Sequence, residues 1–219
     1  MSVTYFFALI IVFFVGTHVI TGVLDRRRSA AMKLAAEHLG YEFYESGVPG
    51  HRGDVLNFEL FRTGHTQLSR NAIVGKVKSV EFMIFDFTRV RGHGRNKRTD
   101  HYTIMAFESD QLSIPQLSMR PEHVFHKIGG AMGYQDIDFE ENPGFSSKFL
   151  LQGSDEIAIR EFFTRDRLSC LEVRDPVCIE GESRRLIIYA DKGRRAPGDL
   201  ARMVGEGLEI FQIFRRSRA

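Results

Sequence analysis

The segment from Val3 to Leu24 (VTYFFALIIVFFVGTHVITGVL) carries no aspartate, glutamate, lysine or arginine. No other stretch limits the chain's possible folds as strongly. At a rise of about 1.5 Å per residue, such a helix spans about 33 Å, enough for the hydrocarbon core of a bilayer. Its one histidine, His18, lies near the C-terminal end, within reach of the interface. A cleaved signal peptide would place a basic segment ahead of a shorter apolar stretch. Here nothing basic precedes the run, and Arg26, Arg27, Arg28 and Lys33 follow it. Positive charge on that side assigns it to the cytoplasm. The expected arrangement is therefore one uncleaved transmembrane helix in the inner (cytoplasmic) membrane, N-terminus outside and C-terminal domain in the cytoplasm. Residues 1–28 form the anchor with its basic flank, 29–40 a juxtamembrane helix, and 41–219 a cytosolic domain.

Beyond the anchor, roughly 190 residues remain, a length that suits one domain with a substantial core. A hydrophobic fraction of 43% and a charged fraction of 26% are ordinary for a globular chain. The formal net charge of +2 provides no global field for nucleic acid. Two cysteines, Cys170 and Cys178, are too few for a disulfide framework and do not form a C-x-x-C pair, which fits a reduced compartment.

Periodicity yields an α+β reading. Residues 28–39 read as helix, with Gly40 as its stop. Tyr41–Tyr44 reads as a short strand before the turn signal Gly47-Val48-Pro49-Gly50. The run 55–61 fits strand or helix. The strongest β signal covers 71–77 and 80–90, where Glu81–Phe87 is apolar on both alternating faces, as in a central strand covered on two sides. With 99–108, it forms a long antiparallel hairpin. Further strands are expected at 114–119, 136–139 and 147–151, and a hairpin at 178–190. Pro121 suits a helix start, giving a helix over 122–132. Ser154 suits an N-cap for a helix to 163, followed by a short helix at 165–173. A long C-terminal helix covers 198–216. The overall expectation is a mainly antiparallel sheet packed with helices behind a transmembrane segment.

No complete catalytic, metal or nucleotide motif is present. Gly75-Lys76 has Arg70 and Val77 where a phosphate-binding loop needs glycine and a hydroxyl residue. His123 and His126, spaced i, i+3 on a predicted helix, offer two metal ligands without a third. Asp136, Asp138 and Glu140 alternate, so they share one face, suited either to a hard cation or to solvent. Asp86, between Phe85 and Phe87, is a buried-carboxylate candidate; such a residue more often sits near a strand end or meets an arginine than performs catalysis. The loop bearing Arg89, Arg91, Arg95, Lys97 and Arg98 suits phosphates such as anionic lipid headgroups, as does the Arg26, Arg27, Arg28 cluster. No cofactor is indicated.

Phe58-Glu59-Leu60-Phe61, Phe85-Asp86-Phe87, Leu117-Ser118-Met119-Arg120-Pro121-Glu122, and Gln135–Phe139 ahead of Phe145-Ser146 resemble segments of uncharacterised bacterial single-pass membrane-anchored proteins with a cytosolic α+β domain. The resemblance implies topology and carries no activity. The leading expectation is a membrane-tethered interaction or accessory domain without catalysis, its partners being the bilayer and a membrane protein. The rivals are a membrane-anchored hydrolase or metal-dependent enzyme built on Asp86, Asp136, Asp138, His123 and His126, and an anionic-lipid sensor working through residues 89–98.

Overall fold

The structure, a computed structural model, describes residues 3–49, 56–122, 135–191 and 193–216, with 3–18 as backbone alone. Helix α1 runs unbroken from Val3 to His38, so the apolar run and the helix expected over 28–39 are one helix. It ends because Gly40 takes φ +73°, a left-handed conformation glycine adopts without strain. The Tyr41 amide then donates to Ala36 O at 2.9 Å and the Gly40 amide to Glu37 O at 3.1 Å, satisfying the terminal carbonyls. Among the described residues no helix is long and apolar enough to cross a membrane. Most of the apolar run, residues 3–18, has its side chains outside that description.

Among the described residues eight strands follow: β1 (Glu42–Ser46), β2 (Thr66–Val77), β3 (Val80–Arg91), β4 (Arg98–Glu108), β5 (Ile114–Pro121), β6 (Phe149–Gly153), β7 (Cys178–Ser183) and β8 (Arg185–Tyr189). They form one antiparallel sheet in the order β1-β2-β3-β4-β8-β7-β5-β6. A short helix, α2 (Glu59–Arg62), precedes β2. Among the described helices, α3 (Pro143–Ser146), α4 (Glu156–Phe162) and α5 (Arg165–Glu172) lie between β5 and β7, and α6 (Leu200–Phe214) follows β8.

Strand alternation sorts the core into two layers. Phe82 and Ile84 of β3, Met105 and Phe107 of β4, and Leu186 and Ile188 of β8 pack with Met32 and Ala36 of α1 and with Val204, Phe211 and Phe214 of α6. The intervening residues Met83, Phe85, Phe87, Ile104 and Ile187 pack on the other face beneath Phe58, Leu60 and Phe61. The doubly apolar β3 is thus interior to the sheet and covered on both sides.

Several boundaries differ from the expectation for physical reasons. The ambiguous run 55–61 contributes a helix of one turn at α2 rather than a strand. Residues 136–139 form no ladder. The Asp136 carboxylate accepts the Leu151 amide at 2.9 Å, and Ile137 N donates to Leu151 O at 2.8 Å. A side chain thereby takes the place of a backbone carbonyl, and strand pairing does not propagate. Pro121 is the last residue of β5, and Glu122 directly after it is helical; the rest of the helix expected over 122–132 lies outside the described residues. The N-cap of α4 is Asp155, whose side chain accepts the Ala158 amide, rather than Ser154.

Candidate functional site

Arg28, Met32 and Ala36 stand four residues apart, so one face of α1 carries all three. Met32 and Ala36 are buried on the helix-covered side of the sheet, and that burial turns Arg28 inward. Opposite it is Asp86, in phase with Phe82 and Ile84 of β3 and 1% exposed. Arg28 grips it with two bonds, Nε to Oδ2 and Nη2 to Oδ1, both 2.7 Å. Asn71 Nδ2 donates to Oδ2 at 2.8 Å. Thr103, directly across the ladder from Asp86, donates to Oδ1 at 2.9 Å. Asn71 occupies a bulge with φ +54°, a conformation that asparagine tolerates better than most residues; its Oδ1 has no hydrogen-bond partner among the described residues. One turn earlier on α1, Asp25 accepts Arg194 Nη1 at 3.1 Å, and Arg194 Nη2 also donates to Thr88 at 3.0 Å. Two arginine–carboxylate contacts therefore fasten α1 to the sheet.

Thr103 also opens onto a cavity. Its Oγ1 accepts from Arg28 Nη2 at 3.1 Å and from the Arg195 amide at 3.0 Å. Beyond it, between α6 and strands β4 and β8, lies a space of about 250 Å³. Its floor is apolar: Met105, Val177, Ile188, Met203 and Ile210. Gly207 lets α6 come close here, because a Cβ at that position would lie 2.2 Å from Met105 Sδ. Arg174, Arg195 and Arg202 stand around the opening with Asp175 and Glu206. Arg174 meets Glu209 at 2.6 Å, Arg195 and Arg202 each approach Glu206 at 3.5 Å, and Arg202 also meets Asp199 at 3.0 Å.

The opposite sheet face holds a second polar group. Glu180, 2% exposed, accepts the Tyr189 hydroxyl at 2.7 Å and the Leu60 amide at 3.3 Å. Arg120 lies 3.7 Å from Glu180 and 2.9 Å from Glu59. Burial pushes the Glu180 carboxyl above the ordinary glutamate range, outweighing the Tyr189, Arg120 and Leu60 contacts that pull it down. Burial also pushes the neighbouring Cys178 thiol up to about 12. Both cysteines are free, Cys170 exposed and Cys178 buried. These contacts tie α2 to the strands from beneath.

The residues singled out in the sequence disperse. Arg26 and Arg27 are exposed, whereas Arg28 is committed to Asp86. Arg89, 4% exposed, bonds Asp100, Leu60 O, Thr63 and Tyr102. It is likewise an interior residue, because it continues the buried alternation of Phe85 and Phe87. Arg91 shares Asp100 at 2.6 Å; Arg95, Lys97 and Arg98 are exposed around the hairpin tip. Asp136 and Asp138 flank buried Ile137 on the solvent side. Burial, ahead of the charges of Asp138 and Glu122, lifts the Asp136 carboxyl above its usual range. Among the described residues no three histidine, cysteine, aspartate or glutamate side chains group to hold a metal ion; His123 and His126 lie outside them. Asp86 in β3 and Asp136 beside β6 are five strands apart, about 24 Å at the usual spacing, so they do not share a pocket. Sequence reading missed Glu180, Arg120 and the cavity. An acid in phase with Cys178 inside a predicted hairpin was the available signal for Glu180.

These features define a class: an antiparallel α+β domain fastened to a long N-terminal helix by one buried charge pair, Arg28–Asp86, and a more exposed one, Arg194–Asp25. No family model and no curated protein matches the chain. Among solved structures it is similar to the mycobacterial trehalose monomycolate transport factor A, TtfA, with a TM-score of 0.58 and 11% identity over 89% of this chain and 99% of that one. At that identity the likeness concerns the fold.

Proposed function

We propose that the chain is a membrane-tethered accessory domain that works by holding a partner or ligand rather than by catalysis, with residues 3–24 in the inner membrane and the domain in the cytoplasm. The observation that carries this reading is the fastening of α1. One continuous helix enters the apolar run, and its Arg28 end is locked by a buried ion pair into the sheet. A flexible leash would not need this; a domain held at a set height and angle over a bilayer would. The fold likeness to a protein named as a transport factor is compatible with an accessory role. The dispersal of Asp86, Asp136 and Asp138 removes the described part of the constellation an enzyme reading would use. Alkaline extraction of membranes and a C-terminal topology reporter test the reading. The chain should remain in the extracted membrane pellet, with the reporter active in the cytoplasm. A soluble chain, or a reporter active only outside, refutes it.

A second reading, contact of the hairpin tip with anionic headgroups, is supported by the direction of α1. Tyr41, just beyond α1, packs edge-on to Phe82 at 5.1 Å; Arg28 meets Asp86, and Asp25 reaches Thr88 through Arg194. Moving back along α1 toward the apolar run therefore moves forward along β3 toward Arg95, Lys97 and Arg98. In the full chain reconstituted in bilayers, with Cys170→Ser and a fluorophore at Asn96→Cys, headgroup quenchers should quench more when anionic lipid is present. Charge reversal of Arg95, Lys97 and Arg98 should abolish that dependence. Quenching indifferent to lipid charge excludes this reading.

A further inference from the structure

We propose that the cavity between α6 and the sheet binds a single-chain anionic amphiphile, its tail against Met105, Ile188, Met203 and Ile210 and its head among Arg174, Arg195 and Arg202. The inference goes beyond the tethering reading and is read out separately, inside the cavity rather than by topology.

Three observations carry it. First, the floor is apolar while the rim is charged, the division an amphiphile matches and a uniformly polar metabolite does not. Two methionines, Met105 and Met203, are among the lining residues, and their unbranched, polarisable side chains adapt to a flexible chain. A chain carbon takes about the volume of a water, ~30 Å³, so 250 Å³ accommodates roughly eight carbons. Second, three arginines line the rim with Asp175 and Glu206, while Glu209 and Asp199, which pair with Arg174 and Arg202, are not among the lining residues. A guanidinium offers five donors, and these are incompletely used. Glu206 is divided between Arg195 and Arg202 at 3.5 Å each, and Arg174 Nε has no hydrogen-bond partner among the described residues. Arginine is the side chain whose planar fork fits carboxylate and phosphate best. Third, the opening is formed partly by the segment carrying Arg195, whose amide is held by Thr103, so the rim is positioned by the interior rather than left to solvent.

The test uses the full chain in lipid nanodiscs with 13C-methyl methionine, titrated with octyl phosphate, octanoate and octanol. Met105 and Met203 line the cavity, whereas Met83 lies on the opposite sheet face. Octyl phosphate or octanoate should shift the Met105 and Met203 methyl signals saturably and leave Met83 unmoved. Octanol should bind at least tenfold more weakly. A response to both anions assigns a general anionic head; a response to one alone assigns its head group. The double variant Arg195→Gln/Arg202→Gln should lose at least tenfold in affinity for the anions and keep that for octanol. The anion–neutral comparison on the unmodified chain decides the matter if that variant fails to fold. No saturable shift with either anion overturns the proposal, as does octanol binding as tightly as the anions. Unchanged anion affinity in a folded double variant overturns the placement of the head.

Discussion

Replacing Arg28 by alanine removes the only cation bonded to Asp86 among the described residues and leaves a 1% exposed carboxylate with Asn71 and Thr103 as its remaining donors. Two charge-assisted bonds of 2.7 Å disappear. At about 1.5–3 kcal/mol for a bond to a charged group, their loss amounts to about 3–6 kcal/mol. Breaking a buried ion pair from one side is known to cost about 3–5 kcal/mol, so the two routes agree. For a domain of this size, about 2–4 °C of melting temperature follows each kcal/mol, and Arg28→Ala should lower the transition by roughly 6–20 °C. The chain has no tryptophan, so unfolding is best followed by the β-sheet circular dichroism signal of the full chain in micelles.

Asp86→Ala and the double variant complete a cycle. Arg28, with a side chain 15% exposed, can turn toward water when its partner is gone, so Asp86→Ala strands a charge less severely. The double variant should therefore be more stable than Arg28→Ala alone. Hydrogen exchange at Met32–Ala36 should accelerate in Arg28→Ala, because that turn of α1 loses its polar fastening. A cost below about 1 kcal/mol, the value of an exposed pair, or an additive cycle, would refute the claim that this pair holds α1 in place.

Two further outcomes follow from the opposite face. Maleimide treatment of the native chain should modify Cys170 and spare Cys178, whose thiol is buried and raised to about 12; rapid double labelling would contradict the packing there. Glu180 holds its proton to higher pH in the folded state than in the unfolded chain. The stability it contributes is therefore full below the unfolded value and is lost as pH rises through the folded one. Glu180→Gln has no such proton to lose, so its stability relative to the parent should improve from about pH 4 upward. A difference that stays flat with pH would show that Tyr189 and Arg120 offset the burial.

Much of the sheet is legible because alternation is a local signal. Glu81–Phe87 announces a strand with two apolar faces, and burial follows it residue by residue. The same rule extended two positions would have placed Arg89 inside with Phe85 and Phe87, against its reading as a headgroup contact. Arg28 was legible in a similar way: it precedes Met32 by four residues, so it shares that residue's buried face. The triplet Arg26-Arg27-Arg28 conceals this, since as a block it is the expected cytoplasmic flank of a membrane helix. What no local pattern conveys is the partner. Arg28 and Asp86 are 58 residues apart, and the cavity is assembled from β4, β8, α6 and two connecting segments. Asp136 misleads for another reason. The period of two is real, with Ile137 inside and its neighbours outside, but the carboxylate takes the amide that a strand pairing would have used.

The fastening of α1 and the cavity meet at one atom, and its bonding sets how strongly they can influence one another. Thr103 Oγ1 donates to Asp86 and accepts from Arg28 and from the Arg195 amide. A hydroxyl has one hydrogen and two lone pairs, so all its capacity is used and no partner can be gained without another being lost. Displacement of the Arg195 segment therefore costs the one hydrogen bond that its amide donates to Thr103 Oγ1. That is about 0.5–1.5 kcal/mol, a factor of roughly two to thirteen in any equilibrium linking cavity and helix. The ion pair itself is several times stronger, so filling the cavity can bias the seat of α1 without releasing it. The geometry thus favours a fixed mount with slight give at Thr103 over a hinge that opens.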